Sequence, residues 1–245
     1  MVDPAHVAAP DGDAAGERPL LGAGTGFAPL AQSLLVCEPG GAVRRGTGEG
    51  EEVLFVLAGA GALHLGGDSH ALEPESGAYL APGESYDLVA EGPEPLRLLA
   101  VAIPDPERGG PGSERAVVRR LADQERGSAT TQREFRIVAD PASGLRSATH
   151  FVGYIPPVRA PEHFHTYDEV IYVLDGEGVM HFEGAEHRLR AGSSIQLPAR
   201  TVHCLENTGN AVMRIVAVFR PAGSPAAAYY PDGTPAYTPH EEEQR

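Results

Sequence analysis

The sequence predicts an all-β protein, sandwich or barrel in type and built from a duplicated unit. Three observations carry this. Short runs rich in aliphatic and β-branched residues alternate with Gly, Pro and Asp at the spacing of strands linked by tight turns. One such run recurs: Glu52-Val-Leu-Phe-Val-Leu-Ala-Gly59-Ala-Gly61 is matched by Glu169-Val-Ile-Tyr-Val-Leu-Asp-Gly176-Glu-Gly178. Between the two copies, a single stretch has the apolar spacing of a helix.

Taken in chain order, residues 1–25 are rich in Ala, Gly, Asp and Pro, have no hydrophobic period, and are expected to form a loose arm with its end tacked onto the fold. The first β unit is expected over 26–105, with Glu52–Gly61 entering a hairpin and Gly77-Ala-Tyr-Leu-Ala-Pro82 a later strand. A linker over 106–132 follows. Within it, Ala116, Val117, Val118, Leu121 and Ala122 give Ser113–Arg126 the pattern of a short amphipathic helix. The second unit, over 133–225, repeats the first, with Gly192-Ser-Ser-Ile-Gln-Leu-Pro198 in the place of Gly77–Pro82. Residues 226–245 are expected as an extended tail with an acidic end, and Tyr229, Tyr230 and Tyr237 give it something to dock with.

Composition narrows the function. The 245 residues are 42% hydrophobic and 22% charged, enough for sizeable cores. No apolar run reaches the length of a membrane span and the first residues lack the basic-then-apolar signature of a signal peptide, so a cytoplasmic protein is expected. A net charge of -15 argues against nucleic acids and anionic membranes as partners. All 19 basic residues are Arg, which excludes Schiff-base chemistry and a phosphate-binding Walker lysine. With only Cys37 and Cys204, neither a disulfide framework nor a thiolate zinc cluster can form.

The histidines carry most of the functional signal. In the segment His163-Phe-His165-Thr-Tyr-Asp-Glu169, both imidazoles and the carboxylate have the same parity, so an extended chain aims them to one side. His203, five residues after Pro198, is a fourth candidate. Three neutral imidazoles and a carboxylate suit a borderline divalent transition metal such as Fe, Mn, Ni, Co, Cu or Zn.

These residues resemble the two motifs of the cupin superfamily. The first motif is Gly, five residues, His-x-His, three or four residues, Glu, six residues, Gly. His163, His165, Glu169 and Gly176 stand at those intervals. The second is Gly, five residues, Pro-x-Gly, two residues, His, three residues, Asn, matched by Gly192, Pro198, His203 and Asn207. Pro157 replaces the leading Gly of the first motif, and Arg200 replaces the Gly after Pro-x in the second. In the first half the corresponding positions are Gly46, Gly48, Glu52 and Asp87, which makes that unit look metal-free. The resemblance therefore implies a bicupin: two tandem jelly-roll barrels, one divalent metal per chain held by His163, His165, Glu169 and His203, and a homodimer.

Three further residues are tentative catalytic candidates. Gln196 stands on the strand before Pro198, Arg200 could clamp a carboxylate, and Tyr167 shares the parity of the ligands. His150 is a candidate neighbour of the site, while Cys204 should point away from it. The implied activity is that of a metal-dependent enzyme on a small oxygenated molecule. Lewis-acid isomerase, lyase, decarboxylase or cyclase chemistry fits, as does dioxygenase chemistry resembling that of quercetinase. Ureidoglycine aminohydrolases also keep one metal in the C-terminal half, but their ligand order differs; oxalate decarboxylases share the ligand types but are longer and load both halves. The alternative is a non-catalytic small-molecule-binding or sensor cupin.

Overall fold

A computed structural model describes residues 6–8, 16–106 and 115–236. Two short strands, β1 (His6–Ala8) and β2 (Gly16–Leu21), precede the first unit. That unit contains β3 (Ala31–Cys37), β4 (Ala42–Gly46), β5 (Glu51–Ala58), β6 (Gly61–Leu65), β7 (Asp68–Leu72), β8 (Ser76–Leu80), β9 (Ser85–Ala90) and β10 (Leu96–Ile103). A connecting stretch holds β11 (Val118–Arg120), β12 (Arg126–Ser128) and β13 (Glu134–Ala139). The second unit contains β14 (Thr149–Ile155), β15 (Asp168–Asp175), β16 (Glu177–Phe182), β17 (Ala185–Arg190), β18 (Ser194–Leu197), β19 (His203–Asn207) and β20 (Met213–Arg220).

Each unit closes a large sheet over a small one. In the first, the order β11-β8-β5-β10-β3-β2 lies over β4-β9-β6-β7; in the second, β1-β18-β15-β20-β14-β13-β12 lies over β17-β16-β19. The two sheets of each unit share one apolar core, around Leu54, Leu63 and Leu88 in the first and Ile171, Met180 and Leu205 in the second. A third core joins the units, with Val53, Phe55 and Leu99 of the first large sheet against Val152, Val170 and Val218 of the second.

That arrangement explains why the β5 sequence does not alternate. Val53 and Phe55 point to the joint between barrels while Leu54 and Val56 point into the first barrel, so both faces are apolar. A polar tie crosses the joint as well. The Glu51 carboxylate accepts hydrogen bonds from the Tyr79 hydroxyl at 2.7 Å and from the Arg146 and Ser147 amides at 3.1 and 3.2 Å.

Two expectations need correction. Within the described part of Ser113–Arg126 there is no helix: Val118–Arg120 forms β11, paired with Ser76–Ala78, and a 3-10 turn follows at Leu121–Asp123. The apolar residues that suggested a helix face are shared between edge pairing and a plug, with Leu121 buried in the core between the units. The arm is tacked on at two places rather than at its end alone, since Gly16–Leu21 pairs with β3 and His6–Ala8 pairs with Ser194–Gln196. The two additions are equivalent. β8 and β18 are edge strands, and each is covered by a strand from outside its own barrel, β11 and β1 respectively. Among the described residues no helix is long and apolar enough to cross a membrane.

Candidate metal centre

The segment before β15 crosses the mouth of the second barrel in extended form. His163 and His203 exchange both backbone hydrogen bonds, at 3.0 and 2.8 Å, which fixes the register of the first ligand motif on the second. One residue on, Phe164 does the same with Tyr229 of the C-terminal stretch, at 2.9 and 3.0 Å, and their rings stack. Alternation then turns His163 and His165 to the barrel interior while Phe164 faces the tail.

The three imidazoles converge. Ring centroids are 5.0 Å apart for His163 and His165, 4.5 Å for His163 and His203, and 5.2 Å for His165 and His203. One donor atom from each lies within 4.8 Å of the other two. Every Nδ1 is 2.8 or 2.9 Å from a backbone carbonyl: Pro161 for His163, Ala227 for His165 and Thr201 for His203. An Nδ1–H donating to a carbonyl fixes the tautomer, so each Nε2 keeps its lone pair. Burial holds all three rings neutral, taking His165 down to about 3 and His203 well below the ordinary histidine value.

Glu169, at the start of β15, lines the same cavity and is buried. Its carboxylate lies outside the tight group of imidazole donors. Burial pushes this carboxyl up to about 8. Three converging lone pairs and a buried carboxylate are an unfavourable set for an empty apolar space and a suitable one for a divalent ion. The donor set therefore fits the metal that the sequence implies.

The cavity has a volume of about 80 Å³, room for a handful of small groups. Apolar side chains such as Phe151, Ile155, Met180 and Ile215 wall it, and Pro225, Ala226 and Ala228 of the C-terminal stretch contribute to its lining.

A family model for the cupin domain matches residues 33–102 and again 151–219. The chain belongs to the cupin family, and with two such domains it is a bicupin. Among solved structures, it resembles the protein YlbA of E. coli, with TM-score 0.75 and 16% identity over 90% of this chain and 92% of that one. It also resembles an oxalate decarboxylase variant of Bacillus subtilis, with TM-score 0.71 and 15% identity over 92% and 78%. These likenesses establish the fold alone. A curated relative, an uncharacterized protein of Methanocaldococcus jannaschii, is 33% identical over 52 residues, and the match spans 42% of that relative's length.

Three sequence candidates sit elsewhere in this bicupin. Gln196 pairs with Val170, and Leu197 pairs with Glu169, so Gln196 faces the joint between barrels and Leu197 takes the cavity side. There Gln196 is fully buried, accepting from the Thr25 hydroxyl at 2.6 Å and donating to the Thr25 carbonyl at 3.2 Å. The Arg200 side chain is exposed and does not line the cavity. Its contribution is backbone: a left-handed φ of 68° and an amide that donates to the His165 carbonyl at 2.7 Å. Glycine, with no Cβ, adopts that conformation at less cost, which is why the cupin motif has one there. His150 also faces the joint, edge-on to Phe55 at 5.9 Å, one residue out of phase with the cavity-lining Phe151.

The remaining candidates fall closer to expectation. Tyr167 lines the cavity, its ring stacked between His165 at 4.6 Å and Phe219 at 3.8 Å. Burial and the neighbouring Glu169 push its phenol well above the usual value, so it remains protonated. Cys204 points away, its thiol donating to the Ala160 carbonyl at 3.0 Å, and both cysteines are free and buried. Asn207 locks the end of β19, its amide donating to the Ile155 and Ala211 carbonyls at 2.8 Å each.

The first cupin barrel meets the same electrostatic problem with protein groups. Glu52 occupies the position of Glu169, and its carboxylate is bound by the Arg45 guanidinium at 2.7 Å and by the Tyr86 hydroxyl at 2.5 Å. Arg45 also donates to Tyr86 at 3.0 Å and to Glu17 at 2.7 Å. A guanidinium thus neutralises the buried carboxylate. Asp87, in the position of His203, is turned outward to Arg44 at 2.8 Å.

Sequence reasoning missed Arg133. It stands at the very start of the second unit as the sequence divides the chain, in the turn from β12 to β13, where Thr131 and Gln132 have left-handed φ of 59° and 58°. That turn brings the Arg133 side chain into the cavity beside the imidazoles. No periodicity marks it, because an isolated Arg in a polar turn looks like surface.

Proposed function

We propose that this bicupin is a metal-dependent enzyme acting on a small oxygenated molecule, with one divalent transition metal per chain held by His163, His165, His203 and Glu169. The observation that carries this reading is the commitment of all three Nδ1 atoms to backbone carbonyls, which leaves three Nε2 lone pairs in one small buried cavity. When bound, the ion supplies Lewis acidity toward an oxygen of the ligand.

The chain's own residues supply the rest. The apolar wall and the tail residues Ala226 and Ala228 keep bulk water from the reacting atoms, which strengthens polar contacts inside. Tyr167, a protonated phenol against the ring of His165, is the one neutral O–H donor among the sequence candidates in the cavity. The Ala227 carbonyl orients His165, so docking of the tail and geometry of the centre are linked.

Turnover tests this reading. Metal-loaded wild-type protein incubated with a panel of small hydroxy and oxo acids should form product by NMR, and the His203→Ala variant should form at least ~100-fold less. Equal turnover by the variant contradicts the assignment.

A further inference from the structure

Arg133 has the features of a residue waiting for an anion. Its guanidinium lines the cavity that the three imidazoles line. One terminal nitrogen is anchored, donating to the Leu205 carbonyl at 2.5 Å, and Leu205 itself borders the cavity. The Nε is buried and has no hydrogen-bond partner among the described residues. No carboxylate among the described residues pairs with it: Glu134, the next residue, is taken by Arg126. The other cavity carboxylate, Glu169, has no hydrogen bond to this guanidinium. A charged fork with one arm fixed and its remaining donors unused is stable in such a place when an anion completes it.

We propose that Arg133 is the residue that recognises the substrate, and that the substrate is a small carboxylate bearing a further oxygen donor. The carboxylate sits on the guanidinium fork, and the second oxygen is directed toward the imidazole cluster. The fork geometry favours a planar, bidentate acceptor, and the small space beside the imidazoles, about 80 Å³, favours a small acid. The placement of the second oxygen rests on the metal-centre reading above; the contact between carboxylate and Arg133 does not. The β12–β13 turn is then the specificity element, since Thr130 and Ala129 beside Arg133 also line the cavity.

Calorimetric titration of the full chain tests this, with glycolate, pyruvate and malonate as probes and glycolamide as the uncharged control. Metal content is measured on the same samples. Wild type should bind at least one of the acids on the order of tenfold or more tighter than glycolamide. Arg133→Gln should lose that preference while keeping the metal content of wild type, and Arg133→Lys should recover part of it.

Acids and glycolamide binding wild type alike, or Arg133→Gln binding the acids within twofold of wild type, overturns the proposal. Binding of inorganic phosphate in place of every carboxylate overturns the substrate class. If Arg133→Gln does not fold, the comparison of acid with amide on wild type decides. A wild type that holds no metal defeats the metal reading, and the Arg133 contact is then judged by the same titrations on metal-free protein.

Discussion

Buried charge and its partner decide what individual residues do in this bicupin. Arg45 and Glu52 illustrate it in the first barrel, where Glu52 is 3% exposed and Arg45 satisfies it. Removing one partner of such a pair leaves a stranded charge, at a cost of about 3 kcal/mol. Arg45→Leu should lower stability by that order in urea unfolding, and adding Glu52→Gln should restore part of the loss. An Arg45→Leu chain as stable as wild type would contradict a stabilising role for the Arg45–Glu52 pair.

His150 gives a pH dependence of definite sign. It is fully buried at the joint, its Nδ1 is unpartnered among the described residues, and burial depresses its value to about 3. The unfolded chain, titrating near the ordinary value of about 6.5, binds the proton first as pH falls. Stability therefore rises with pH between about 3 and 6.5 and is lost on acidification through that window, by roughly 3 kcal/mol at pH 4. His150→Leu should remove this part of the acid sensitivity, seen as a smaller drop in urea midpoint between pH 7 and 4.5. An unchanged drop contradicts the assignment.

Among elements, the added edge strands deserve a direct test. β1 caps β18 through three residue pairs, and β18 borders the strand that carries Glu169. A chain beginning at Gly16 should lose about 1–3 kcal/mol of stability and self-associate with concentration in light scattering, because the bare edge is free to pair. A shortened chain with the midpoint and the association state of the full chain would show that β1 contributes nothing.

The elements also separate what was legible in the sequence from what was not. The repeat, the strands and the spacing of His163, His165, Glu169 and His203 are local patterns with a fixed period, and the fold gathers the three imidazoles accordingly. Gln196 stands on the expected strand, but pairing with Val170 on the next strand sets its face, and that pairing is not local to its own sequence. The linker was misread because Val117, Val118 and Leu121 fit a helix locally, while the free edge of β8 supplied a stronger tertiary partner. Arg133 was invisible because turn geometry, rather than sequence pattern, brings it to the cavity.

At the scale of the whole molecule, duplication produced two barrels with different internal chemistry. Both keep the apolar framework and the carboxylate on the central strand. The first fills the space beside Glu52 with Arg45 and Tyr86, and the second surrounds its space with three neutral imidazoles. The back-to-back packing of the large sheets leaves the second barrel's mouth to be shaped by the β12–β13 turn and the C-terminal stretch. Such asymmetry predicts a stoichiometry as well as a site.

Elemental analysis of untagged protein, purified without chelators and reconstituted with divalent transition metals, measures that stoichiometry most directly. The account predicts one ion per chain in wild type and loss of it in a folded His163→Ala chain. Wild type that binds none, or a His163→Ala chain that keeps its full complement, would contradict it. Two ions per chain would contradict the account of the first barrel.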